Sequence, residues 1–373
     1  MLIVLASLAL ADCGGGGGDG GGNGCAAGVA VGDGVAVFAG GMIAGVSSVP
    51  GTINHGETVT ISGSGFGVKS PALPVVVDGA AGTNILDKWD GRWPSQNATY
   101  NLAYRALPPC FSPPHSRTNN RAISGAHYSS GGADAGFNVM FWKNRTITSY
   151  PAYTYASWYQ RMDDNWVFGG DDNLKAWDFS EGTEPYNLVA NWYFEYNPRP
   201  TSVGSSAGWN ITDDGTALVF PGSSFGLGAI NPMAGAWVKI ETEIKYTDQS
   251  DGYIKVWENG RQKLNYAGRT DNYPGTARSE AIGGFARSRS TNNWRYFTEV
   301  YLDYTPARVV LANHPTLSSA TMVETQIPTA WSNTSITFVI NLGKFTSGQT
   351  AYVFVITPSG FPDGPGRPVT VGQ

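Results

Sequence analysis

Apolar and polar residues alternate with a period of two through most of residues 137–311, and the clearest instance is AWVKIETEIKYTDQSDGYIKVWENG at 236–260. In its first run Val238, Ile240, Ile244 and Tyr246 point one way, while Trp237, Lys239, Glu241, Glu243 and Lys245 point the other. A strand with one apolar face and one face of rings and charge belongs to an antiparallel sheet covering a core on one side. Asn259-Gly260 is a strong hairpin signal, because a two-residue turn there needs positive φ at both positions. The same alternation predicts strands at Phe137–Trp142, Tyr153–Arg161, Leu174–Phe179, Leu188–Tyr196, Ala217–Phe220, Trp237–Tyr246, Tyr253–Trp257, Ala281–Ala286, Trp294–Asp303 and Arg308–Leu311. No stretch carries a convincing helical period. Residues 80–136 read as loops around Cys110-Phe111-Ser112-Pro113-Pro114, with a flap over a groove as one use for them.

The two ends carry the pattern differently. Residues 47–79 hold Pro50-Gly51, the strand Thr58–Ser62 and Gly63-Ser64-Gly65-Phe66-Gly67, glycines that let the chain turn while a Phe enters a core. A phosphate-cradling loop is the competing reading, but no helix follows and no Lys-Ser/Thr sits at the required offset. Residues 321–371 supply Ile327-Pro328, Trp331-Ser332 and the strands Ser335–Ile340 and Ala351–Thr357. Neither end has enough strands to bury a core alone. Together they resemble an IPT/TIG immunoglobulin-like domain split in sequence. The order WVKIE, DGYIKVWENG, IGGF, NNWRYFTEVYLD resembles the concanavalin A-like lectin/glucanase superfamily, which implies a jelly roll. The expected fold is all-β: a large antiparallel jelly-roll sandwich (80–311) inserted into a small immunoglobulin-like sandwich (47–79 plus 312–373).

Composition narrows the function classes. Among 373 residues there are 49 Gly, 22 Pro and 12 Trp, and only 14 % are charged. That is the profile of an all-β exported protein. A net charge of −5 offers no basic stripe for nucleic acid. Residues 1–13, MLIVLASLALADC, are an apolar run too short to span a bilayer and read as a secretory leader. Leu10-Ala11-Asp12-Cys13 resembles a bacterial lipobox, although Asp12 departs from the small residue expected there and no basic residue precedes the run. The resemblance implies lipidation at Cys13, a Gly-rich tether over 14–46, and a membrane association made only through that lipid. A bacterial origin makes the sequons at Asn97, Asn144, Asn210 and Asn333 chance matches. Cys25 and Cys110 are either a disulfide or free thiols. The scattered histidines give no zinc pattern.

No cofactor is expected. Calcium is the one ion the sequence leaves open, at Asp163-Asp164, Asp171-Asp172 and Asp213-Asp214, pairs that Asx-turns explain without a metal.

Sugar recognition needs rings for CH faces and amides, guanidinium or carboxylates for hydroxyls. The candidates are Tyr155, Tyr159, Arg161, Trp177, Trp237, Glu241, Glu243, Trp257 and Arg278, with a polysaccharide or other surface polymer as partner. Each ring could equally be core. Glycosidase chemistry needs two carboxyls about 5–5.5 Å apart. Glu241 and Glu243 stand about 7 Å apart along one strand face. The Asp of the glucanase Glu-x-Asp-x-Glu strand is missing between them, so Lys-Glu-Glu-Lys reads more simply as a solvated charge ladder. Arg278-Ser279-Glu280 resembles part of an alginate-lyase motif, without its Gln-Ile-His and Tyr-Phe-Lys companions. The leading reading is a non-catalytic polysaccharide binder. A lyase or glycosidase using Glu241, Glu243, Tyr159 or Arg278 is the second, and an architectural part of an envelope, appendage or virus particle the third.

Overall fold

The computed structural model describes residues 45–95, 99–111, 120–127, 138–164, 166, 174–181, 191–197, 208–213, 235–271, 277–285 and 293–372. The leader with Cys13, nearly all of the 14–46 segment with Cys25, the strand expected at 217–220, and Asp171, Asp172 and Asp214 lie outside the described residues.

Four antiparallel-dominated sheets of six, eight, four and five strands make up the described chain, with only two short 3-10 turns beside them. The six- and eight-stranded sheets face each other across one core. Val139, Phe141, Trp177, Phe179 and Ile282 come from the former, and Ile123, Trp158, Ile240, Ile244, Val256, Phe297 and Leu302 from the latter. Alternation sets the orientation: on Val238–Tyr246, Val238, Ile240, Ile244 and Tyr246 all enter this core. The Asn259-Gly260 turn follows as read, with φ of 48° and 76° at its two residues. Its second arm, Arg261–Ala267, escaped the pattern because Leu264 is its only buried residue.

Thr58–Ser64 pairs with Ser335–Val339, placing Val59 opposite Phe338 and Ile61 opposite Ile336. Against this sheet lies a second one built around Arg308–Ala312 and Thr350–Ile356, and the two enclose Phe66, Val309, Leu311, Phe338, Val353 and Val369. Gly65 and Gly67, at φ of 78° and 71°, turn the chain so that Phe66 is fully buried. A Cβ on Gly63 would lie 2.2 Å from the Gly45 carbonyl and 2.4 Å from the Phe66 ring, so no larger residue fits there.

Two strands sit on the other side of the boundaries read from sequence. Val76–Asp78 pairs with Asn293–Asp303 in the eight-stranded sheet, and Arg308–Ala312 pairs with Thr350–Ile356 in the smaller unit. Residues 80–136 are also more ordered than a run of loops. Gly91–Trp93 closes the six-stranded sheet, and Ala103–Ala106 and Arg121–His127 extend the eight-stranded one. Gly91–Trp93 and Ala103–Ala106, of three and four residues, are too short to show a period, and Arg121–His127 is buried on both faces.

Asp363 is a pH-sensitive point in the smaller unit. Its carboxylate accepts from the Val355 amide at 3.0 Å, and burial raises its pKa to about 6 despite these backbone bonds. The folded state therefore holds a proton that the unfolded chain, with an ordinary carboxylate, releases earlier. The stabilisation is complete below about pH 4 and is lost as pH rises through about 6. Stabilities of the native protein and Asp363→Asn from urea titrations should diverge by up to about 3 kcal/mol in total across this range. Parallel curves would reject the assignment.

Candidate functional site

The face of the eight-stranded sheet turned away from the core collects most of the chemistry. Cross-strand register puts Tyr301, Ser157, Glu241 and Trp257 in one row. Asp303, Tyr155, Glu243 and Lys255 form the next, and Thr298, Tyr159 and Lys239 another. Side chains opposite one another in a pleated sheet share a face, so these rows form one surface of rings, carboxylates and lysines.

That surface is not solvated. Glu241 and Glu243 are 6 % and 4 % exposed, and Tyr155 and Tyr159 only 1 %. The charge ladder expected from Lys-Glu-Glu-Lys is thereby corrected, because the smaller unit lies across it. Tyr155 Oη donates to Glu241 at 2.6 Å and lies 2.8 Å from the Thr325 hydroxyl. Tyr159 Oη donates to Glu324, whose second oxygen is 3.3 Å from Lys239 Nζ. Lys239 also donates to the Val323 carbonyl. Arg308 approaches Glu243 at 3.4 Å and stacks over Tyr155 with its guanidinium carbon 4.0 Å from the ring centre. Tyr253 Oη donates to Glu243 at 2.6 Å. Lys344 lies 5.5 Å above the Tyr159 ring, and burial pulls its pKa down. Burial, reinforced by Glu241 and Glu324 respectively, pushes the Tyr155 and Tyr159 phenols well above their ordinary range.

Between the units a small cavity remains, lined by Tyr159, Lys239, Glu299, Tyr301, Glu324 and Asn341 among others, with room for about one water. Glu299 lies at a bulge in its strand with φ of 50°, a left-handed conformation rare for a side-chain-bearing residue.

The same face continues past the smaller unit. Arg161 and Tyr296 form the next row, and Trp294 lies beyond. Phe111 covers the Arg161 guanidinium at 3.9 Å and meets the Tyr296 ring edge-on at 5.3 Å. Trp237 is half-buried there, its indole N–H donating to the Phe111 carbonyl at 3.0 Å. Trp294, Tyr100 and Arg105 are half-buried as well, with Arg105 5.2 Å above the Trp294 ring. The segment Leu107–Phe111 thus covers part of this end, and Cys110 on it is exposed.

Two candidates are corrected. Trp177 and Arg278 lie on the core side of the six-stranded sheet. Trp177 stacks with Phe179, and Arg278 pairs with Asp271 at 2.6 Å with 2 % exposure. Glu280, the third residue of Arg-Ser-Glu, is likewise internal; it accepts from Thr154 at 2.5 Å, and burial raises its pKa. Trp257 is half-buried on the outer face, beside Glu241. Asp163 accepts from the Trp294 amide and the Tyr296 hydroxyl, while Asp164 pairs with Arg161. No group of three or more potential metal ligands occurs among the described residues, and no helix there is long and apolar enough to cross a membrane.

Sequence reasoning missed Trp294 and Tyr296, although alternation within NNWRYFTEVYLD separates them from core-facing Arg295 and Phe297. Glu324, Arg308 and Lys344 left no signal, being distant in sequence from what they touch.

No family model and no curated protein sequence matches the chain. Among solved structures it is similar to the endo-β-1,4-glucuronan lyase of the fungus Trichoderma reesei, at 14 % identity and TM-score 0.39, covering 62 % of this chain and 96 % of that one. An alginate lyase aligns at 12 % identity and TM-score 0.39, over 65 % and 96 %. The carbohydrate recognition domain of Emp47p aligns at 14 % identity and TM-score 0.31, over 56 % and 99 %. These values are low, and the all-β sandwich stands on its own strand pairing.

Proposed function

We propose that this is an exported, non-catalytic β-sandwich protein that binds a polysaccharide on the outer face of its eight-stranded sheet, held at the cell surface through Cys13 if the leader is processed as its lipobox-like residues imply. The observation that carries the reading is the continuous ring-and-polar surface from Tyr155 through Tyr159 to Trp294, whose far end keeps Trp294, Tyr100, Trp237 and Arg105 partly open. Rings with adjacent guanidinium and amide groups are the equipment of sugar recognition. Catalysis is disfavoured by access. Glu243 and Tyr159 are tied to Arg308 and Glu324 of the smaller unit, Glu241 is held by Tyr155 of its own sheet, and Arg278 is paired inside the core. A general base must come within hydrogen-bond reach of the proton it takes, and with the smaller unit across the sheet each of these is at most 6 % exposed.

The test is retention on insoluble glycans combined with assays for unsaturated ends and new reducing ends. Retention without turnover, weakened about tenfold or more in Trp294→Ala, is the expected result. Turnover of any glycan would replace this reading with the enzymatic one, and self-assembly without glycan affinity with the architectural one.

A further inference from the structure

The contact between the two units has the wrong chemistry for a permanent weld. Among the described residues every apolar cluster belongs to one unit or the other, and none spans the seam. What crosses it is ionic and hydrogen-bonded: Tyr159 and Lys239 with Glu324, Tyr155 with Thr325, and Arg308 with Glu243. Ion pairs taken out of water gain little net free energy, since desolvation offsets most of the attraction. Polar contacts between units of one chain are those that open.

The two sides also differ in charge. Among the residues buried on this face the sheet contributes one lysine, Lys239, against the four carboxylates of Glu241, Glu243, Glu299 and Asp303, while Lys245 and Lys255 are half-buried on the same face. The smaller unit and its connectors answer with Lys69, Arg308 and Lys344 against the single carboxylate of Glu324. Whatever takes the smaller unit's place on this sheet must bring cations and hydrogen-bond donors, together with sugar faces for Tyr155, Tyr159, Tyr253 and Tyr301.

We propose that the smaller sandwich is a removable cap over a carboxylate-and-tyrosine face, and that the uncapped face takes a sugar polymer bearing free amines. This rests on the glycan-binding reading above and adds to it the class of sugar and the control of access. A ligand that binds only the open form shifts the population toward it.

Hydroxyl-radical footprinting of the whole protein reads the cap directly. Oxidation of Tyr155 and Tyr159 reports the covered face, and Trp158, on the opposite face of the same strand, is the control. A chitosan oligomer lifts the cap but covers the sheet, so its effect is read on the other side of the seam: maleimide labelling of Thr325→Cys should rise by about tenfold or more with the oligomer while oxidation of Trp158 stays unchanged. Salt should raise oxidation of both tyrosines in the absence of sugar, since screening weakens the attraction between the two faces. A second variant fixes the cap. Ser157 and Thr325 face each other across the seam with hydroxyl oxygens 3.5 Å apart, so Ser157→Cys with Thr325→Cys places a disulfide there. Oxidised, it should bind the oligomer at least about tenfold more weakly than when reduced.

Retention of chitosan with unchanged labelling and equal binding by the locked form would overturn the cap while leaving glycan binding intact. Opening by alginate and not by chitosan would overturn the amine assignment. Failure to retain any glycan would overturn the functional reading and this inference together.

Discussion

Lys69→Met is expected to destabilise the protein by about 3–5 kcal/mol near neutral pH, the usual cost of leaving one member of a buried ion pair alone. Lys69 Nζ lies 2.9 Å from Asp303, and both side chains are almost wholly buried. The ammonium is further held by the carbonyls of Pro71, Ala72 and Leu73, at 3.2, 2.7 and 3.3 Å. Lys69 follows Thr58–Ser64 on the way into the large sandwich, and Asp303 ends the strand that leads back out of it. One ion pair therefore joins the two connectors. Burial raises the Asp303 pKa even with Lys69 beside it, so the carboxyl left behind in the variant will take up a proton more readily still. The loss should accordingly shrink as pH falls toward the carboxylate range. Lys69→Met combined with Asp303→Asn should recover at least half of it, since the amide can keep the Tyr301 hydroxyl and Tyr304 amide as partners. Denaturant unfolding of the two single variants and the double variant closes the cycle. A loss below about 1 kcal/mol would mean that the pair is effectively solvated.

The alternation that located Val238–Tyr246 and its core face carries no information about what covers the other face. Period two separates Ile240 from Glu241. It does not say whether Glu241 meets water or protein. Lys239 and Lys245 on either side suggest a solvated Glu241, yet Thr325 and Glu324 reach the same face from far along the chain. Trp177 and Arg278 fell on the core side for a related reason. A large ring or a guanidinium inside a sandwich still needs partners, and these are Phe179 for Trp177 and Asp271 for Arg278. The partners are visible only once the strands are assembled. By contrast Phe66 was legible from its own neighbours, since the glycines around it admit one arrangement in which the ring goes inward. Local constraints were readable, and tertiary cover was not.

Phe338→Ala should unfold the smaller unit before the larger one. Phe338 is fully buried, and it stands opposite Val59 across a strand pair joining residues nearly the whole described chain apart. Removing a buried Phe costs about 3–5 kcal/mol, a large share of the stability of a domain this small. Its core is separate from that of the large sandwich, with no apolar cluster shared, so the loss has no direct route into the neighbouring core. Calorimetry should show a new low-temperature transition while the transition of the large sandwich moves little. Across that first transition Tyr155 and Tyr159 should become open to labelling, because Glu324, Thr325 and Arg308 leave the sheet with the unit that carries them. A single cooperative transition lowered as a whole would instead mean that the ionic seam transmits the damage, making the two cores one folding unit and the cap a fixed part of the sheet.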